Sequence, residues 1–346
     1  MSGEEGYTDT GSEPYIGTWP TPEYRIATFN LENLDKNVEN PPWAKRLKIL
    51  RPMIERIDAD LLFLQEVSNL ESLEELLQNT RYSDYNITYT KKKDSEEPFK
   101  RRNLVTLSEL PIESCKQYYH AHVDAPMWRS ATADPEEHEA REYSWERPIL
   151  HCQVRLPNNR TLHALNLHLK SKTPSNIPGQ KEGYTWKSHQ GWAEGFFISM
   201  LKRVGQALET RVLLEELLKN DPYNTVIAIG GDFNADTGSL PFQTIVGSVL
   251  ETDNPDLQPT VMIPCEYNVP AEQRYTLFHR GKGCMIDHVI VSQALFAYWN
   301  ETEIFNEVLP DESLAYKGDR LFPESDHAPV VARFRKDPKW FGETSS

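Results

Sequence analysis

Residues 226–236 read Val226-Ile227-Ala228-Ile229-Gly230-Gly231-Asp232-Phe233-Asn234-Ala235-Asp236, and Thr237-Gly238-Ser239 follow at once. A run of small and β-branched apolar residues predicts a strand buried on both faces. The two glycines let the backbone turn where that strand emerges. Asp232, Asn234 and Asp236 then crowd the mouth of a sheet. Alone, such a cluster reads as a solvated turn or a helix cap, with Asp236 the expected cap and Ser239 its competitor before a helix near Leu240.

Other strands finish the same way. The alternating stretch Tyr24 to Asn30 ends in Asn30-Leu31-Glu32, and the apolar run after Asp60 ends in Gln65-Glu66. Residues 161–168 lead into Asn166-Leu167-His168-Leu169-Lys170, while Ile286-Asp287-His288 and Ser325-Asp326-His327 complete the set. Further strands are expected at 104–107, 148–156, 274–278, 285–291 and 328–334. Helices are expected over 43–57, 70–77 and about 193–218, the last with Phe197, Met200, Leu201, Val204, Leu208 and Leu218 as its buried stripe. Strands outnumber helices in mixed order. That pattern predicts an α/β fold of the sandwich kind, with a central layer of two sheets, over a regular βαβ repeat.

The expected organisation is a flexible segment at 1–22, one domain over 23–336 and a tail at 337–346. Three stretches read as surface insertions: 91–100, charged; 124–147, acidic with Trp and Tyr; and 173–195, rich in Pro, Gly, Trp and Tyr. With 37 Lys+Arg against 52 Asp+Glu, the net charge is −15. Such a field repels polyanions, so nucleic acid needs a local cationic groove or bridging cations. Lys91, Lys92, Lys93, Lys100, Arg101 and Arg102 form the one dense basic stretch. No apolar run approaches the roughly 20 residues of a membrane span, and the acidic N-terminus is unlike a secretory leader. A cytoplasmic, membrane-free monomer is the expectation. Cys115, Cys152, Cys265 and Cys284 lack CxxC spacing and are expected as buried free thiols.

If the strand tips converge, their Asp, Glu, Asn and His side chains carry a negative charge that calls for a cation. Oxygen ligands without paired thiols suit Mg²⁺ or Mn²⁺, with Ca²⁺ also compatible. No organic cofactor is expected. His288 follows Asp287, and strand alternation sends it to the opposite face in a structural role. His120, His122, His138, His151, His163 and His279 read as ordinary surface or half-buried residues. Lys170 lies one pleat beyond His168, either on phosphate or on a solvated face.

The ordered set FNLEN, LQEV, LNLHLKS, GDFNA, IDHVIV and SDHAPV resembles the endonuclease/exonuclease/phosphatase superfamily from about Tyr24 to Arg335. LVTLSELPI is similar to that family's ILSxxPI strand, and the stretch Lys202 to Ala207 to its helix with Arg-x-x-Gln. The resemblance implies a four-layered α/β sandwich, two packed mixed sheets flanked by helices, with its site at the open end of the sheets. It implies that Glu66 is the principal metal ligand, helped by Asn30, Glu32 and Asp326. It further implies that Asp232 orients or deprotonates the attacking water, that Asn234 is an amide donor to phosphate, and that His327, oriented by Asp287, contacts a phosphoryl oxygen or the nucleophile. His168 resembles the histidine that binds phosphate or assists the leaving group, in the manner of deoxyribonuclease I-like and lipid-directed members. Abasic-site endonucleases carry tyrosine in that role.

The expected activity is metal-dependent phosphodiester hydrolysis, most simply of DNA. Tyr184 and Trp186, with His189 and Trp192 nearby, are candidates to stack on bases beside the leaving-group side. A small organic, nucleotide or lipid phosphoester is the alternative substrate. An inactive binding module on the same scaffold is the alternative class, and it would be expected to lack one of Glu66, Asp232, Asp287 or His327; all are present.

Overall fold

A computed structural model describes residues 23–314 and 322–337. The expected flexible segment at 1–22 and residues 338–346 of the expected tail lie outside them. In the first sheet the strands run in the order Trp299–Ile304, Val330–Arg335, Glu23–Leu34, Leu61–Val67, Asn103–Ser108, Asn86–Tyr89. The second runs Ile263–Pro264, Asp287–Val291, Val226–Asp232, Thr161–His168, Ile149–Arg155, Ile112–Tyr118. Each has one parallel pair near its middle, Glu23–Leu34 with Leu61–Val67 and Val226–Asp232 with Thr161–His168. Their outer neighbours are antiparallel.

This pairing places the chemistry. Parallel neighbours finish at one edge, and an antiparallel neighbour begins there. Asp232 therefore stands in register with His168 on one side and with Asp287 on the other.

The layers follow from the apolar faces. Ile26, Phe63 and Leu104 of the first sheet meet Cys152, Ala164, Ala228 and Val289 of the second in a buried core between them. Helices α1 (Trp43–Ile57) and α2 (Leu70–Leu77) cover the outer face of the first sheet through Leu50, Ile54, Leu73 and Leu76. Helices α3 (His189–Leu218) and α4 (Leu240–Val246) cover the second through Leu213, Leu214, Phe242 and Ile245. The expected four-layered sandwich is thus observed. Gly230 permits the close approach of the sheets, because a Cβ there would sit 2.2 Å from the Phe63 ring.

Several expectations change. The strand expected at 274–278 shrinks to Leu277–His279, paired with Lys282–Cys284. Asn86–Tyr89, Ile112–Tyr118 and Trp299–Ile304 are edge or near-edge strands whose exposed residues gave no alternating signal. The stripe expected on α3 is largely outward: Phe197 is 45 % exposed, Met200 45 % and Leu208 44 %. Along most of its length α3 buries Glu194, Ser199, Arg203, Gln206, Glu209 and Thr210 instead, because that face pins loops with hydrogen bonds. The free-thiol expectation also fails for one pair. Cys115 and Cys152 oppose each other on antiparallel strands and form a disulfide, whereas Cys265 and Cys284 are free.

His151 is another departure, whereas His163 is half-buried as expected. They lie on neighbouring strands with Nε2 of His151 3.0 Å from Nδ1 of His163, and His151 is buried. Burial, with the nearby charges of His163 and Lys116, pushes His151 down to about 4, and burial lowers His163 too. The folded state therefore holds neutral imidazole. The associated stability is complete above the unfolded value near 6.5 and is lost as pH falls towards about 4. For His151 alone the difference is on the order of 3 kcal/mol. Urea unfolding of wild type and His151→Gln between pH 7.5 and 4.5 checks this: the variant is expected to lose less stability on acidification, and parallel losses would refute it.

Candidate active site

The site is assembled where the two parallel pairs end. Register breaks after Asn30 and after Leu64, so the strands bulge as they leave their sheet. Glu32 (φ 44°), Asn33 (φ 51°), Glu66 (φ 57°) and Asn234 (φ 49°) all adopt the left-handed region that non-glycine residues seldom enter. Such conformations persist only where the surroundings hold them. Arg46 of α1 donates to the carbonyls of Leu31 and Glu32, the latter at 2.6 Å. The Asn33 N–H donates to Glu66 Oε2 at 3.1 Å. The Asn234 N–H donates to Asp232 Oδ1 at 2.8 Å, and its Nδ2 donates to Leu169 O and Asp232 Oδ2.

Across the seam, Asn30 Nδ2 donates to Asp232 Oδ2 at 3.1 Å. His168 Nε2 lies 3.3 Å from Asp232 Oδ2 and 3.7 Å from Glu66 Oε1. Glu32 Oε2 accepts the Asp326 N–H at 3.1 Å. His327 Nδ1 donates to Asp287 Oδ2 at 2.8 Å, while its Nε2 lies 3.8 Å from Asp326 Oδ1. One ligand atom each from Asp232, Asp287 and His327 falls within 4.8 Å of the others. Every residue expected to be catalytic or to hold metal therefore joins a single cluster.

Beneath it, buried Gln65 donates to Asn166 Oδ1 at 2.9 Å, and Asn166 donates to the carbonyls of Leu64 and Val105. These amides join the sheets and satisfy backbone groups left open by the bulge.

The environment separates the ionisable groups. Burial opposes charge on Asp232, yet bonding to His168, the charge of His327 and the Asn234 N–H hold it well below the usual carboxylate range. Burial and the adjacent Arg147 lower His168, which stays neutral. Burial also disfavours charge on His327, but Asp287 and Asp326 raise it well above the ordinary imidazole value. Burial raises Asp287 despite that partner. Burial and the charge of Asp326 push Glu32 up to about 8, and burial with nearby acids lifts Asp326 to about 6.

Among those raised acids, Glu32 and Asp326 are residues that could hold a cation. Glu32 and Asp326 repel each other as anions, and Asp326 Oδ1 is buried with no hydrogen-bond donor. The trio Asp232, Asp287 and His327 is tighter in space. Its oxygens on Asp232 already accept from Asn30, Asn234 and the backbone, and His327 is engaged by Asp287. The edge formed by Glu32, Glu66 and Asp326 is the better home for a hard divalent ion.

Other expected residues fall elsewhere. Lys170 is buried and reaches Ser171 Oγ at 2.9 Å and Thr173 O at 3.2 Å, so the solvated alternative is excluded. Trp186 packs in a small cluster with Tyr143, Ile177 and Ile198, and Tyr184 is 97 % exposed. Lys181 lies over both rings. Asp236 does not cap α4; its carboxylate pairs with Lys172 at 2.5 Å, and Ser239 is the N-cap residue, its Oγ donating to Asp236 O at 2.7 Å and accepting no helix N–H. His288 points away from the site onto Glu266 and Ala235 O, as alternation predicted. In the basic stretch, Lys91 pairs with Glu96 and Lys92 with Glu97, whereas Arg102 turns inward to Asn33 Oδ1 and lies 3.6 Å from Glu66.

Sequence reasoning missed Arg46 and Arg147 and gave Arg203 only by resemblance. Arg147 donates to the carbonyls of His168 and Leu169, Arg203 to those of Lys170 and Ser171, and Gln206 to Arg147 O. Arg46 had a signal: it falls on the same helical stripe as Leu50, Ile54 and Ile57.

The profile of the endonuclease/exonuclease/phosphatase family matches residues 27–327, and the chain belongs to that family, whose members hydrolyse phosphoester bonds. No curated protein sequence matches the chain. The fold is similar to truncated TDP2 from Caenorhabditis elegans (TM-score 0.54, 17 % identity, 90 % of this chain and 98 % of that one). It is also similar to a family protein from Bacteroides thetaiotaomicron (0.54, 16 %, 94 % and 99 %) and to that organism's mannosyl-6-phosphatase (0.53, 15 %, 89 % and 98 %).

The His327–Asp287 pair makes a direct prediction. Asp287→Asn keeps a polar partner but removes the charge, so the imidazole value of His327 is expected to fall by at least one pH unit in an NMR ring titration. An unchanged titration would show that Asp287 does not set it.

Proposed function

We propose that this chain is a divalent-metal-dependent phosphodiester hydrolase of nuclease type. One observation carries the reading: an anionic acceptor, a cationic imidazole and a carboxylate edge border the same few ångströms at the sheet seam. Glu66, Glu32 and Asp326, with Asn30 alongside, would hold Mg²⁺ or Mn²⁺, with Ca²⁺ an alternative. When bound, such an ion neutralises the nonbridging oxygens of the ester.

The remaining groups have distinct tasks. Asp232, kept anionic, fixes and polarises the attacking water through an oxygen already aligned by Asn30 and Asn234. His327, protonated against Asp287, donates Nε2–H to a phosphoryl oxygen. Asn234 acts through Asp232: its Nδ2 protons already go to Leu169 O and Asp232 Oδ2, so the amide donor to phosphate that the resemblance implied is not part of this reading. Neutral His168 holds its Nε2 proton against Asp232 and stands on the leaving-group side. Preorganised donors of this kind act strongly where water is excluded.

A second reading, a small phosphoester substrate, is favoured by the net charge of −15 and by the pairing of Lys91 and Lys92 within their own loop. Among the described residues no helix is long and apolar enough to cross a membrane. The proposed cytoplasmic setting stands against the Cys115–Cys152 bridge, since such bonds persist in oxidising compartments.

Supercoiled DNA and bis(p-nitrophenyl) phosphate, assayed with Mg²⁺, Mn²⁺ and EDTA, decide between the readings. Metal-dependent cleavage of both is expected. Cleavage of the aryl diester alone selects the small substrate, and cleavage of neither refutes hydrolysis. Asp232→Asn is expected to fold normally and to lose about 10²-fold or more in kcat, as when a positioned proton acceptor is removed. Turnover near that of wild type would remove Asp232 from the reaction.

A further inference from the structure

Beside the catalytic cluster lies a cavity of ≈ 590 Å³ whose lining includes Arg141, Tyr143, Glu146, Lys170, Ser175 and Lys202. Its charge runs against that of the molecule. Lys170 and Lys202 enter from adjoining segments, and Arg141 adds a third cation. Glu146 and Glu142 are the carboxylates of the lining, Glu146 3.9 Å from the Lys170 ammonium, and Arg141 is already paired with Glu137 at 3.4 Å. Behind this wall stand two more guanidiniums, those of Arg147 and Arg203. Both spend their donors on carbonyl oxygens, and the nearest carboxylate to Arg147 is again Glu146 at 3.9 Å. Glu146 is thus shared among several cations. Like charges facing one another in a partly desolvated hollow are costly without a counter-anion, and burial with neighbouring positive charge lowers Lys170 to about 8.

The walls are fixed in advance. Glu194 of α3 accepts from Trp128 Nε1 (2.8 Å), Ser130 Oγ (3.0 Å), Ala131 N (2.7 Å) and Thr132 N (2.9 Å). Glu209, four turns further along, accepts from Ala121 N and Trp145 Nε1, both at 2.6 Å. Gly205 leaves room for the Trp145 ring, which a Cβ would meet at 2.3 Å. The polar inner face of α3 therefore clamps the 124–147 insertion around the hollow. A preformed site loses little in ordering when it binds.

Position supplies the rest. Lys170 follows His168 by two residues, about 7 Å of extended chain, and the Leu169 N–H still donates to Asp232 O at 3.0 Å. Resting on the phosphodiesterase reading above, we infer that this cavity receives a second anionic group of the substrate, a phosphate carried on the leaving-group side of the scissile ester. That phosphate is either the next diester of a polynucleotide or a terminal monoester. Lys202 and Arg141 would then select polyanionic diesters over simple ones and act in binding, not in chemistry.

The test compares wild type with Lys202→Ala on bis(p-nitrophenyl) phosphate, TpT, TpTp and TpTpT. The expected result is a KM increase of at least tenfold for TpTp, TpTpT or both, at unchanged kcat, with the two singly charged diesters altered less than twofold. A response to TpTpT alone identifies the polynucleotide source, and a response to TpTp alone the monoester. Equal effects on all four substrates, or none, overturn the inference. Calorimetric titration of inorganic phosphate in EDTA gives a readout independent of turnover, because the metal-free carboxylate edge repels phosphate. Binding to wild type that weakens at least fivefold in Lys202→Glu supports the cavity even if no diester is hydrolysed, which would sink the hydrolase reading alone. Absence of phosphate binding to wild type overturns the anion site.

Discussion

The hydrogen bond from Asn30 to Asp232 crosses from one sheet to the other, and the arrangement of the site depends on that seam being closed. Each partner stands at the end of a strand from a parallel pair, so the bond forms only if the two pairs stop at the same height. Gln65 and Asn166 repeat the link one layer deeper. Apolar packing between the sheets is non-directional and tolerates sliding, whereas these amides have fixed geometry. Losing one member leaves its buried partner unsatisfied, at about 1–3 kcal/mol, and frees the strands to shift.

Holding so many ionisable groups in so little space is otherwise unfavourable. The molecule resolves it by giving each group a different neighbour. Asp232 is surrounded by donors and stays anionic; Asp287 faces a single imidazole; burial raises Glu32 and Asp326, with the charge of Asp326 adding to the first and those of Glu312 and Glu66 to the second. The same residue type therefore takes opposite protonation behaviour within a few ångströms. Acids raised by burial and by neighbouring carboxylates are the part of the site whose electrostatics are incomplete without a cation. Environments that push like groups apart are characteristic of catalytic centres.

Helix α3 shows how a second function can be laid on one element. Its C-terminal half buries Leu213, Leu214 and Leu218 as a covering helix should. Its N-terminal half points Glu194 and Arg203 inward and leaves Trp192, Phe196, Phe197 and Met200 partly exposed. The inward groups organise loops and carbonyls beside His168 instead of filling a core. The insertion and helix form one wall, held by the Glu194 and Glu209 carboxylates.

The sequence by itself determined the apolar strands, the covering helices and the polar tips, because burial on both faces and helical periodicity are local patterns. It also placed His288 correctly, since strand alternation is local too. What only the tertiary structure decided is what meets what. The partnership of Asn30 with Asp232, the left-handed backbone at Glu66, the clamps made by Arg46 and Arg147, and the Cys115–Cys152 bridge all join residues far apart in the chain. Edge strands such as Ile112–Tyr118 were illegible because their side chains face solvent and their stability comes from backbone pairing. The inverted face of α3 was illegible because hydrophobic periodicity assumes an apolar partner, and here the partner is a loop whose backbone amides take Glu194 as their acceptor.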